Sequence, residues 1–528
     1  MRFIDTLDRF ADRPVFIDGQ SVTFAHQLKA EIAHIKQQLC ALGAKPGDVL
    51  GLWLPNHASW LSVFMACTEL DIIVLTLNTR FKHTELESLL QRSNCRWLAF
   101  SPDFMGIPFS DIISKIDTGT LKQLKGFLTL GDASTAKAQF PDIPCISIDS
   151  VEAKKDTTSP SAQQAETLTA PGLIYTTSGT TSLPKFVVHA KDRLLQHGLN
   201  VQHFFSMNAD SALYLTVPLC GAFGFSAVLG ALVAGATIIA PPVYDADQAA
   251  KLIREHQATH TFANNEVIAQ LLALPGQAKQ PFPSLKWLGY ASFAPSLGDL
   301  PQKAKKAGLQ LLGLYGSSEL NALCAGQRPE FEETVRLQAG GQITDPKGKV
   351  RAVCFDTGKP LPHGEIGELE IYSTVAMLGY MNNHEETQKA FTADGYFKTG
   401  DVGYTLADNH FVFSGRKGNL IRLSGFLVNP EEIEEFIQQI EGVKAVQVVG
   451  VPINDKTVCT AFVIRQPQSQ LDAEQIKQRC RAAMASYKAP QHVFFVDSFP
   501  VVQSANSNKI QTHKLVEQAQ SLIGNLPS

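Results

Sequence analysis

Helical patterns and short apolar runs alternate along most of this chain. Residues 25–42 repeat apolar side chains at helical spacing, and residues 49–54 form an apolar run that predicts a buried strand. The same order returns downstream, with a helical pattern over 58–70 and a strand-like run over 72–76. Because this alternation is typical of parallel sheets covered by helices, we predict an α/β fold.

The segment 215–243 carries no charged residue and is long enough to cross a bilayer. Glycines interrupt it, however, and residues 237–242 look like a strand followed by a turn. We therefore predict a buried helix over about 223–233 that ends in a glycine-capped turn before a core strand, and no transmembrane span.

The pattern changes near residue 415. Asn429 and Pro430 precede a run of glutamates, which predicts a clean helix start, and strands over 445–451 and 459–465 follow. We predict a large domain over 1–415 and a small α+β domain over 416–528. The two glycines of 415–418 would suit a hinge between them or a plain tight turn, and the resemblance described below implies a hinge and a mobile small domain.

Composition excludes several classes of protein. The 528 residues are 44% hydrophobic and 18% charged with a net charge of −4, which is globular and argues against nucleic-acid binding. Nine dispersed cysteines without a CxxC pair indicate reduced thiols and a cytoplasmic protein. Asp5 and Asp8 interrupt the N-terminal stretch where the apolar core of a signal peptide would lie.

The strongest candidate for chemistry is the loop Tyr175-Thr-Thr-Ser-Gly-Thr-Thr-Ser-Leu-Pro-Lys185. Its backbone N–H groups and hydroxyls can surround phosphate oxygens, while the ammonium of Lys185 neutralises their charge. The preceding residues 172–175 predict a buried strand, so the loop lies at a strand end, where α/β proteins bind ligands. It is not a Walker A loop, and by itself it could be an ordinary surface loop.

Further segments follow in a set order. Together with the loop they resemble the motifs of the adenylate-forming superfamily, most closely those of acyl- and aryl-CoA synthetases. The segments are Pro218-Leu-Cys-Gly-Ala-Phe-Gly224, Tyr315-Gly-Ser-Ser-Glu319, Gly395-Tyr-Phe-Lys-Thr-Gly-Asp401, Gly415-Arg-Lys-Gly418, Val428-Asn-Pro-Glu-Glu-Ile-Glu434 and Asn508-Lys-Ile510.

The resemblance implies both a fold and a reaction. The large domain would add a β-barrel-like subdomain to its parallel-rich sheets. The chain would be an ATP-dependent carboxylic acid:CoA ligase that uses ATP, Mg²⁺ and CoA, forms an acyl-adenylate, and acts on a fatty or aryl acid. Two alternatives are an acyl-AMP ligase that loads a separate carrier protein and a catalytically impaired nucleotide-binding relative. A monomer or a homodimer, and peripheral membrane contact, are all compatible with this pattern.

Residue roles follow from the same resemblance. Lys509, Glu319 and Lys185 are the expected catalytic residues, and Thr177 and Glu319 are the expected Mg²⁺ ligands. Tyr315 is expected to offer an aromatic face to adenine, and Asp401 to accept hydrogen bonds from the ribose hydroxyls; Asp401 and Arg416 could instead form a surface ion pair. The predicted ATP site comprises Thr177, Ser178, Gly179, Thr180, Thr181, Lys185, Tyr315, Gly316, Ser318, Asp401, Arg416 and Lys509.

The acid pocket, the hinge and the thiol route are predicted in the same way. The pocket would include Gly221, Phe223, Asn265 and Phe293, the hinge would be at Gly418, and Gly425 would line the thiol tunnel. The segment Asn264-Asn265-Glu266 lines the acid pocket in members of the superfamily, so the resemblance suggests an acid with a polar substituent. The residues that depart from the superfamily pattern are Ser182, Phe186, Gly221, Phe293 and Asn508, and we expect the bulk of Phe186 beside the loop to slow ATP binding.

Overall fold

The computed structural model describes residues 1–104, 107–131, 133–148, 169–177, 184–274, 279–291, 299–419, 421–423, 426–453, 456–484, 488–503 and 508–524. The strands in chain order are β1 Pro14–Ile17, β2 Val22–Phe24, β3 Val49–Trp53, β4 Ile73–Thr76, β5 Cys95–Phe100, β6 Asp103–Phe104, β7 Ile107–Pro108, β8 Gly126–Thr129, β9 Cys145–Ser147, β10 Pro171–Thr176, β11 Phe186–Ala190, β12 Ala212–Leu215, β13 Thr237–Ile239, β14 His260–Asn264, β15 Trp287–Ala291, β16 Leu311–Tyr315, β17 Ala325–Gly326, β18 Gly340–Ile343, β19 Lys349–Val353, β20 Gly367–Tyr372, β21 Gly379–Tyr380, β22 Phe397–Ala407, β23 His410–Arg416, β24 Ile421–Leu423, β25 Phe426–Val428, β26 Val443–Ile453, β27 Lys456–Arg465, β28 His492–Phe495, β29 Val501–Gln503 and β30 Asn508–Ile510.

The helices in chain order are α1 Ala25–Ala41, α2 Ala58–Glu69, α3 His83–Arg92, α4 Phe109–Ser114, α5 Thr118–Gln123, α6 Ser134–Gln139, α7 Lys191–Phe204, α8 Ala222–Ala234, α9 Ala246–Glu255, α10 Asn265–Ala273, α11 Leu300–Lys306, α12 Glu333–Arg336, α13 His384–Ala390, α14 Pro430–Gln438, α15 Ala473–Ala483 and α16 Thr512–Gly524. Short 3₁₀ turns lie at Ile4–Phe10, Ser318–Leu320 and Lys417–Asn419.

Two large sheets organise the N-terminal part of the chain. One has the strand order β21-β11-β10-β4-β3-β5-β8-β9 and is parallel from β10 to β9. The other runs β2-β1-β13-β12-β14-β15-β16-β17-β18-β23-β22-β20-β19. It is parallel from β1 to β16 and antiparallel beyond β16, where hairpins replace helical crossovers. The predicted α/β class with parallel-rich sheets is therefore correct, and the antiparallel strands beyond β16 belong to the same sheet as the parallel ones.

Helices pack between the sheets in a continuous apolar core. Helices α2 and α8 meet through Phe64 and Phe225, whose ring centroids are 4.8 Å apart at an interplanar angle of 74°. Such an edge-to-face pair adds a directional attraction to the burial of both rings. Both side chains have no solvent exposure, so the two helices form the interior of the domain rather than its surface.

The uncharged segment 215–243 contains the predicted buried helix, α8. Helix α8 ends at Gly235, which has the left-handed φ of 71° that glycine tolerates best, and the chain then enters β13. Gly230 allows close packing, since a β-carbon there would lie 2.6 Å from Val201 Cγ1 on α7. At 1.5 Å per residue α8 is only about 20 Å long, short of the ~30 Å that a bilayer core requires. Throughout the described chain no helix has the length and hydropathy to cross a membrane.

The C-terminal part builds separate apolar clusters. Helix α14 begins with Pro430 at its first position, and its N-cap Asn429 accepts a hydrogen bond from the Glu431 N–H at 3.2 Å. Strands β26, β27 and β28 form a sheet that packs on α14, α15 and α16. The buried residues of these clusters all lie at position 423 or later. The domain boundary near residue 415 stays a prediction.

The parallel strands bring several predicted site segments to one edge. Strands β12, β14, β15 and β16 are consecutive neighbours and run parallel, so their carboxyl ends lie side by side. The segment with Gly221 follows β12, Asn265 follows β14, and Tyr315 closes β16. In open α/β sheets this edge is the usual place for a ligand.

Candidate active site

The two ends of the predicted phosphate loop are held together by a hairpin. Strands β10 and β11 are antiparallel, and Thr177 N–H donates to the Lys185 carbonyl at 3.0 Å. The Lys185 N–H in turn donates to Thr177 Oγ1 at 3.1 Å. Ser178, Gly179, Thr180, Thr181 and Ser182 lie outside the described residues. The structure therefore places the two flanking residues, and the phosphate-binding role of the loop remains a prediction.

Lys185 has an acidic and an aromatic partner. Its Nζ lies 2.7 Å from Glu386 Oε2 on α13 and 4.7 Å from the centroid of the Tyr380 ring. Strand β21 brings Tyr380 there by pairing with β11, where Tyr380 is opposite Val187. Both Lys185 and Glu386 side chains are 37% exposed, so a ligand can reach the ammonium from solvent.

Glu319 lies on the 3₁₀ turn that follows β16, close to the same tyrosine. Tyr380 Oη donates to Glu319 Oε1 at 3.0 Å, and Met377 N–H donates to the Glu319 carbonyl at 2.8 Å. Burial and, after it, the Glu319 charge raise the pKa of Tyr380, so the phenol remains a proton donor. One aromatic side chain thus links the lysine of the phosphate loop to the predicted metal ligand.

A buried histidine supports the turn that carries Glu319. His189 Nε2 lies 2.8 Å from the Ser318 carbonyl, and burial lowers the pKa of His189 to about 4. A neutral imidazole next to a carbonyl must carry its proton on Nε2 and donate it. Strand β11 therefore contacts Ser318 through His189, while its neighbour β21 contacts Glu319 through Tyr380.

The predicted ribose site is a connected group of side chains. Asp401 accepts a hydrogen bond from the Tyr315 hydroxyl, and its Oδ1 lies 2.8 Å from Arg416 Nε. Burial raises the pKa of Asp401 to about 6, although Arg416 and Tyr315 both oppose the rise. Asp401 and Arg416 do form an ion pair, but the carboxylate is 3% exposed and is not a surface group.

The Tyr315 side chain is largely covered by neighbouring aromatic rings. Its ring centroid is 5.0 Å from that of Phe411 and 5.7 Å from that of Phe413, and the residue is 9% exposed. What the structure shows for Tyr315 is an anchor for Asp401, and contact with adenine stays a prediction. Gly316 is exposed and Ser318 is half-buried on the following turn.

Phe186 packs into the core at the start of β11. The residue is 3% exposed, and the Arg92 guanidinium carbon lies 4.7 Å from its ring centroid. Arg92 also donates to the Pro184 carbonyl at 2.7 Å. Within the described part of the chain, the bulk of this ring is thus accommodated by the core, and its effect on ATP binding is still only predicted.

The acid-pocket residues that the structure describes lie at the starts of α8 and α10. Gly221 is the N-cap of α8 and Phe223 lies half-buried in its first turn, while Asn265 is buried at the start of α10. Asn264 caps α10 by accepting a hydrogen bond from Val267 N–H at 2.8 Å. Phe293 lies outside the described residues, as does Gly425 of the predicted thiol tunnel.

Lys509 and Gly418 belong to the C-terminal part. Lys509 lies in β30 opposite Val502 of β29, and its side chain is not among the parts of the chain that the structure describes. Gly418 lies in the 3₁₀ turn after β23, and its neighbour Lys417 has Nζ 2.6 Å from Glu368 Oε2 on β20. The catalytic role of Lys509 therefore stays a prediction.

The described residues fit Mg²⁺ as a substrate-bound cation rather than as a preformed metal centre. In the described ranges no group of three or more His, Cys, Asp or Glu side chains is placed to hold a metal. Glu319 is half-buried and has no ion-pair partner in that same part of the chain. Mg²⁺ commonly binds through one or two carboxylates together with substrate phosphates, and Glu319 provides such a carboxylate.

Sequence analysis missed Tyr380, Glu386 and His189. Lys185 and Glu386 are 201 positions apart in the chain, and β21 spans only two residues, so no local periodicity marks either contact. The only signals were the apolar Val375–Met377 stretch leading to Gly379-Tyr380 and the Asn383 cap of an acidic helix start. Neither signal indicates a contact with Lys185 unless the pairing of β21 with β11 is known.

Known proteins resemble this chain over nearly its whole length. The medium-chain acyl-CoA ligase ACSF2 of Danio rerio, a mitochondrial protein, is 27% identical over 98% of this chain and 88% of its own. Sulfoacetate–CoA ligase of Cupriavidus necator is also 27% identical, over 97% of this chain and 96% of its own.

Solved structures share the fold. ATP-bound MatB from Rhodopseudomonas palustris superimposes with a TM-score of 0.82 at 24% identity, covering 99% of this chain and all (100%) of MatB. The anthranilate CoA ligase AuaEII in complex with anthranoyl-AMP gives 0.81 at 24% identity, over 100% and 98% of the two chains. MenE from Bacillus subtilis in complex with ATP and a magnesium ion gives 0.79 at 20% identity, over 97% and 98%.

The family itself is established by sequence. Residues 432–506 match the C-terminal domain of AMP-binding enzymes. Residues 3–381, well over half of the chain, match the AMP-binding enzyme family. The resemblance seen in the ordered motifs is thereby confirmed, and this chain belongs to the AMP-binding enzyme family.

Proposed function

We propose that this chain is an ATP-dependent carboxylic acid:CoA ligase that works through an acyl-adenylate. The observation that carries the proposal is the linkage of Lys185 to Glu319 through Tyr380. A cation for phosphate oxygens and a carboxylate for a divalent metal are thereby held at one place on the sheet edge. The relatives agree with this activity, since the two named above are both CoA ligases.

The reaction has two steps. In the first step a carboxylate oxygen of the acid attacks the α-phosphorus of ATP, the bond to the β-phosphate oxygen breaks, and pyrophosphate leaves. In the second step the thiol of CoA attacks the acyl carbon and AMP leaves with its electron pair. The first step brings an anion to a polyanion, so electrostatic stabilisation of the developing charge is its main requirement.

Each residue has a role suited to its surroundings. Lys185 would bind β- and γ-phosphate oxygens, and Glu319 with Thr177 would hold Mg²⁺. Asp401, fixed by Tyr315 and Arg416, would accept hydrogen bonds from the ribose hydroxyls. Bound Mg²⁺ would neutralise phosphate charge during the first step.

Lys509 would complete the site from the small domain. We assign it the bridge between the attacking carboxylate and the α-phosphate, a task for a single point cation. Gly418 would then act as the hinge about which the small domain rotates, so that a second face of this domain replaces Lys509 at the site. Gly425 would line the route of the thiol.

The acid is proposed to be a fatty or aryl acid, with a polar substituent that Asn265 recognises. Asn265 begins α10 at the sheet edge where Gly221 and Phe223 begin α8, and it is 8% exposed. An amide that hydrogen-bonds a substrate group inside a pocket disfavours an analogue that lacks this group.

Pyrophosphate release tests the proposal directly. Purified protein with ATP and Mg²⁺ would be assayed against fatty, aryl and hydroxylated acids, with and without CoA. We expect release that requires one acid class and accelerates with CoA, together with acyl-CoA formation. Release without any CoA effect would favour transfer to a carrier protein, and ATP binding without release for any acid would favour an impaired enzyme.

A further inference from the structure

The ammonium of Lys185 has partners within the chain. Its closest partner is Glu386 Oε2 at 2.7 Å, and the Tyr380 ring lies beneath it at 4.7 Å. An ammonium that neutralises phosphate cannot keep a full ion pair with a carboxylate at the same time. The carboxylate of Glu386 is therefore a competitor for the cation that the proposed function requires.

Helix α13 holds Glu386 in place by its own cap. Asn383 Oδ1 accepts a hydrogen bond from Glu386 N–H at 3.2 Å, and Thr387 Oγ1 accepts one from Tyr380 N–H at 2.8 Å. The first turn of α13 is thus tied to β21, which is paired with β11 beside Lys185. Glu386 and Tyr380 form one rigid support for the lysine.

A second cation lies within reach of the same carboxylate. Lys389 Nζ is 3.6 Å from Glu386 Oε1, one turn further along α13. When Lys185 moves away, Glu386 retains a neutralising neighbour on its own helix. Its oxygens are also partly solvated, so the Lys185–Glu386 ion pair can open without stranding a buried charge.

We propose that Glu386 is a positioning residue that holds Lys185 in the nucleotide-free enzyme and releases it to the β- and γ-phosphates of ATP. The inference rests on the proposed function. A triphosphate carries several negative charges against one on Glu386, so the phosphates win the competition at saturating ATP. The ion pair holds the Lys185 ammonium over the Tyr380 ring, and the phosphates must displace Glu386 to bind this ammonium, which lowers the affinity for ATP.

The proposal predicts the direction of a substitution effect. Glu386→Gln removes the competing charge and leaves a side chain of the same shape. We expect the dissociation constant of ATP·Mg, measured by calorimetry without acid, to fall about threefold to tenfold. The KM for ATP should fall with it, whereas kcat should not rise, because Lys185 is already on the phosphates in the transition state.

Two further variants separate positioning from general effects. Glu385→Gln removes one negative charge from the same turn, but Glu385 is 78% exposed and pairs with Lys389 at 2.6 Å rather than with Lys185. We expect it to change ATP affinity by less than about twofold. In a Lys185→Met background, Glu386→Gln should have no effect on ATP affinity, since no lysine remains to be released.

The outcomes are distinct. Unchanged or weaker ATP binding by folded Glu386→Gln, or a gain of the same size in the Lys185→Met background, overturns the inference. If Glu386→Gln unfolds, Glu386→Ala is measured by the same calorimetry and judged by the same criteria. Wild-type protein that binds no ATP and releases no pyrophosphate contradicts the proposed function itself, whereas an active wild type with an inert Glu386→Gln contradicts only the role of Glu386.

Discussion

At the scale of single residues, the protonation state of Asp401 is the property most open to measurement. This carboxylate is almost fully buried, yet it contacts Arg416 and the Tyr315 hydroxyl. Burial outweighs these two partners and raises the pKa of Asp401 to about 6. The ionised form offers both oxygens as charged acceptors to the ribose hydroxyls, whereas the protonated form turns one oxygen into a donor and forms only neutral hydrogen bonds.

We therefore expect kcat/KM for ATP to fall as the pH drops below about 6, where Asp401 gains a proton. Asp401→Asn should lose about tenfold to a hundredfold in kcat/KM at neutral pH, because charge-assisted hydrogen bonds become neutral ones. The pH profile of kcat/KM for the Asp401→Asn variant should be flat through pH 6. Asp408→Asn is the control, since that side chain is 94% exposed, and it should keep the wild-type profile. An acid limb that survives in Asp401→Asn would assign the titration to another group.

Lys509 carries a second prediction at this scale. Lys509→Ala should slow pyrophosphate release about a hundredfold to a thousandfold, the usual effect of removing one preorganised charge-stabilising group. Acyl-CoA formation from supplied acyl-AMP should change only a few-fold, because that step needs no stabilisation of the attacking carboxylate. The exposed Lys514 offers a matched control, and Lys514→Ala should leave both rates unchanged. Equal losses in both steps for Lys509→Ala would contradict its assignment.

The sequence could indicate the role of a single residue only where its side-chain type and its neighbours in the chain pointed to the same role. Lys185 immediately precedes β11, Glu319 lies in the turn after β16, and both belong to short polar segments, so their types and positions pointed to phosphate and metal. Tyr380 and Glu386 come to Lys185 through strand pairing across the chain, which no local pattern encodes. Their contribution required the three-dimensional fold.

At the scale of elements, α14 buries an acid that its amphipathic pattern does not explain. Glu434 Oε1 accepts hydrogen bonds from the Val448 N–H at 2.6 Å and from the Gln447 amide. Its Oε2 is buried and has no hydrogen-bond partner among the described residues. Burial raises the pKa of Glu434 to about 8.

The raised pKa ties the stability of this element to pH. The folded state binds the proton more tightly than the unfolded state, whose glutamates titrate near about 4.3. The proton on Glu434 therefore stabilises the folded state fully below that value, and this stabilisation is lost as the pH rises through about 8. Glu434→Gln should therefore increase hydrogen-exchange protection of residues 430–448 by about tenfold at pH 8.5, and less at pH 6.

Exchange mass spectrometry on the full chain, corrected for intrinsic rates, measures this difference. Glu441→Gln, at an exposed position just after α14, serves as the control and should alter protection little at either pH. Lower protection in Glu434→Gln at pH 8.5 would mean that the hydrogen bonds to the carboxylate outweigh the cost of burying its charge.

Elements with their own start and stop signals were predictable, and those held by tertiary contacts were not. Asn429 and Pro430 specify the start of α14, and Gly235 specifies the end of α8, so both helices were predicted within a residue or two. The 3₁₀ turn at Ser318–Leu320 and the two-residue strand β21 contain no such signals. They exist because His189, Met377 and β11 supply hydrogen bonds from elsewhere in the chain.

At the scale of the whole molecule, two sets of apolar clusters meet at a short connection. The small-domain clusters begin at Leu423, and the last buried residue of the main core is Phe411. Near the connection, Lys417 pairs with Glu368, and the Asn429 amide donates to the Ser414 carbonyl. Few contacts of this kind would have to break for the small domain to turn about Gly418.

Substitution at the hinge tests this rotation. Gly418→Pro fixes φ at the hinge, so we expect acyl-CoA formation from supplied acyl-AMP to fall at least about tenfold while pyrophosphate release is largely kept. Gly418→Ala is the matched control, because a β-carbon at 418 meets no atom within 4 Å and leaves φ free to change. It should retain both rates within about threefold. Stopped-flow measurement of the two half-reactions decides the matter: if the proline variant performs both steps normally, the exchange of faces does not depend on Gly418, and the hinge must lie elsewhere in the connection.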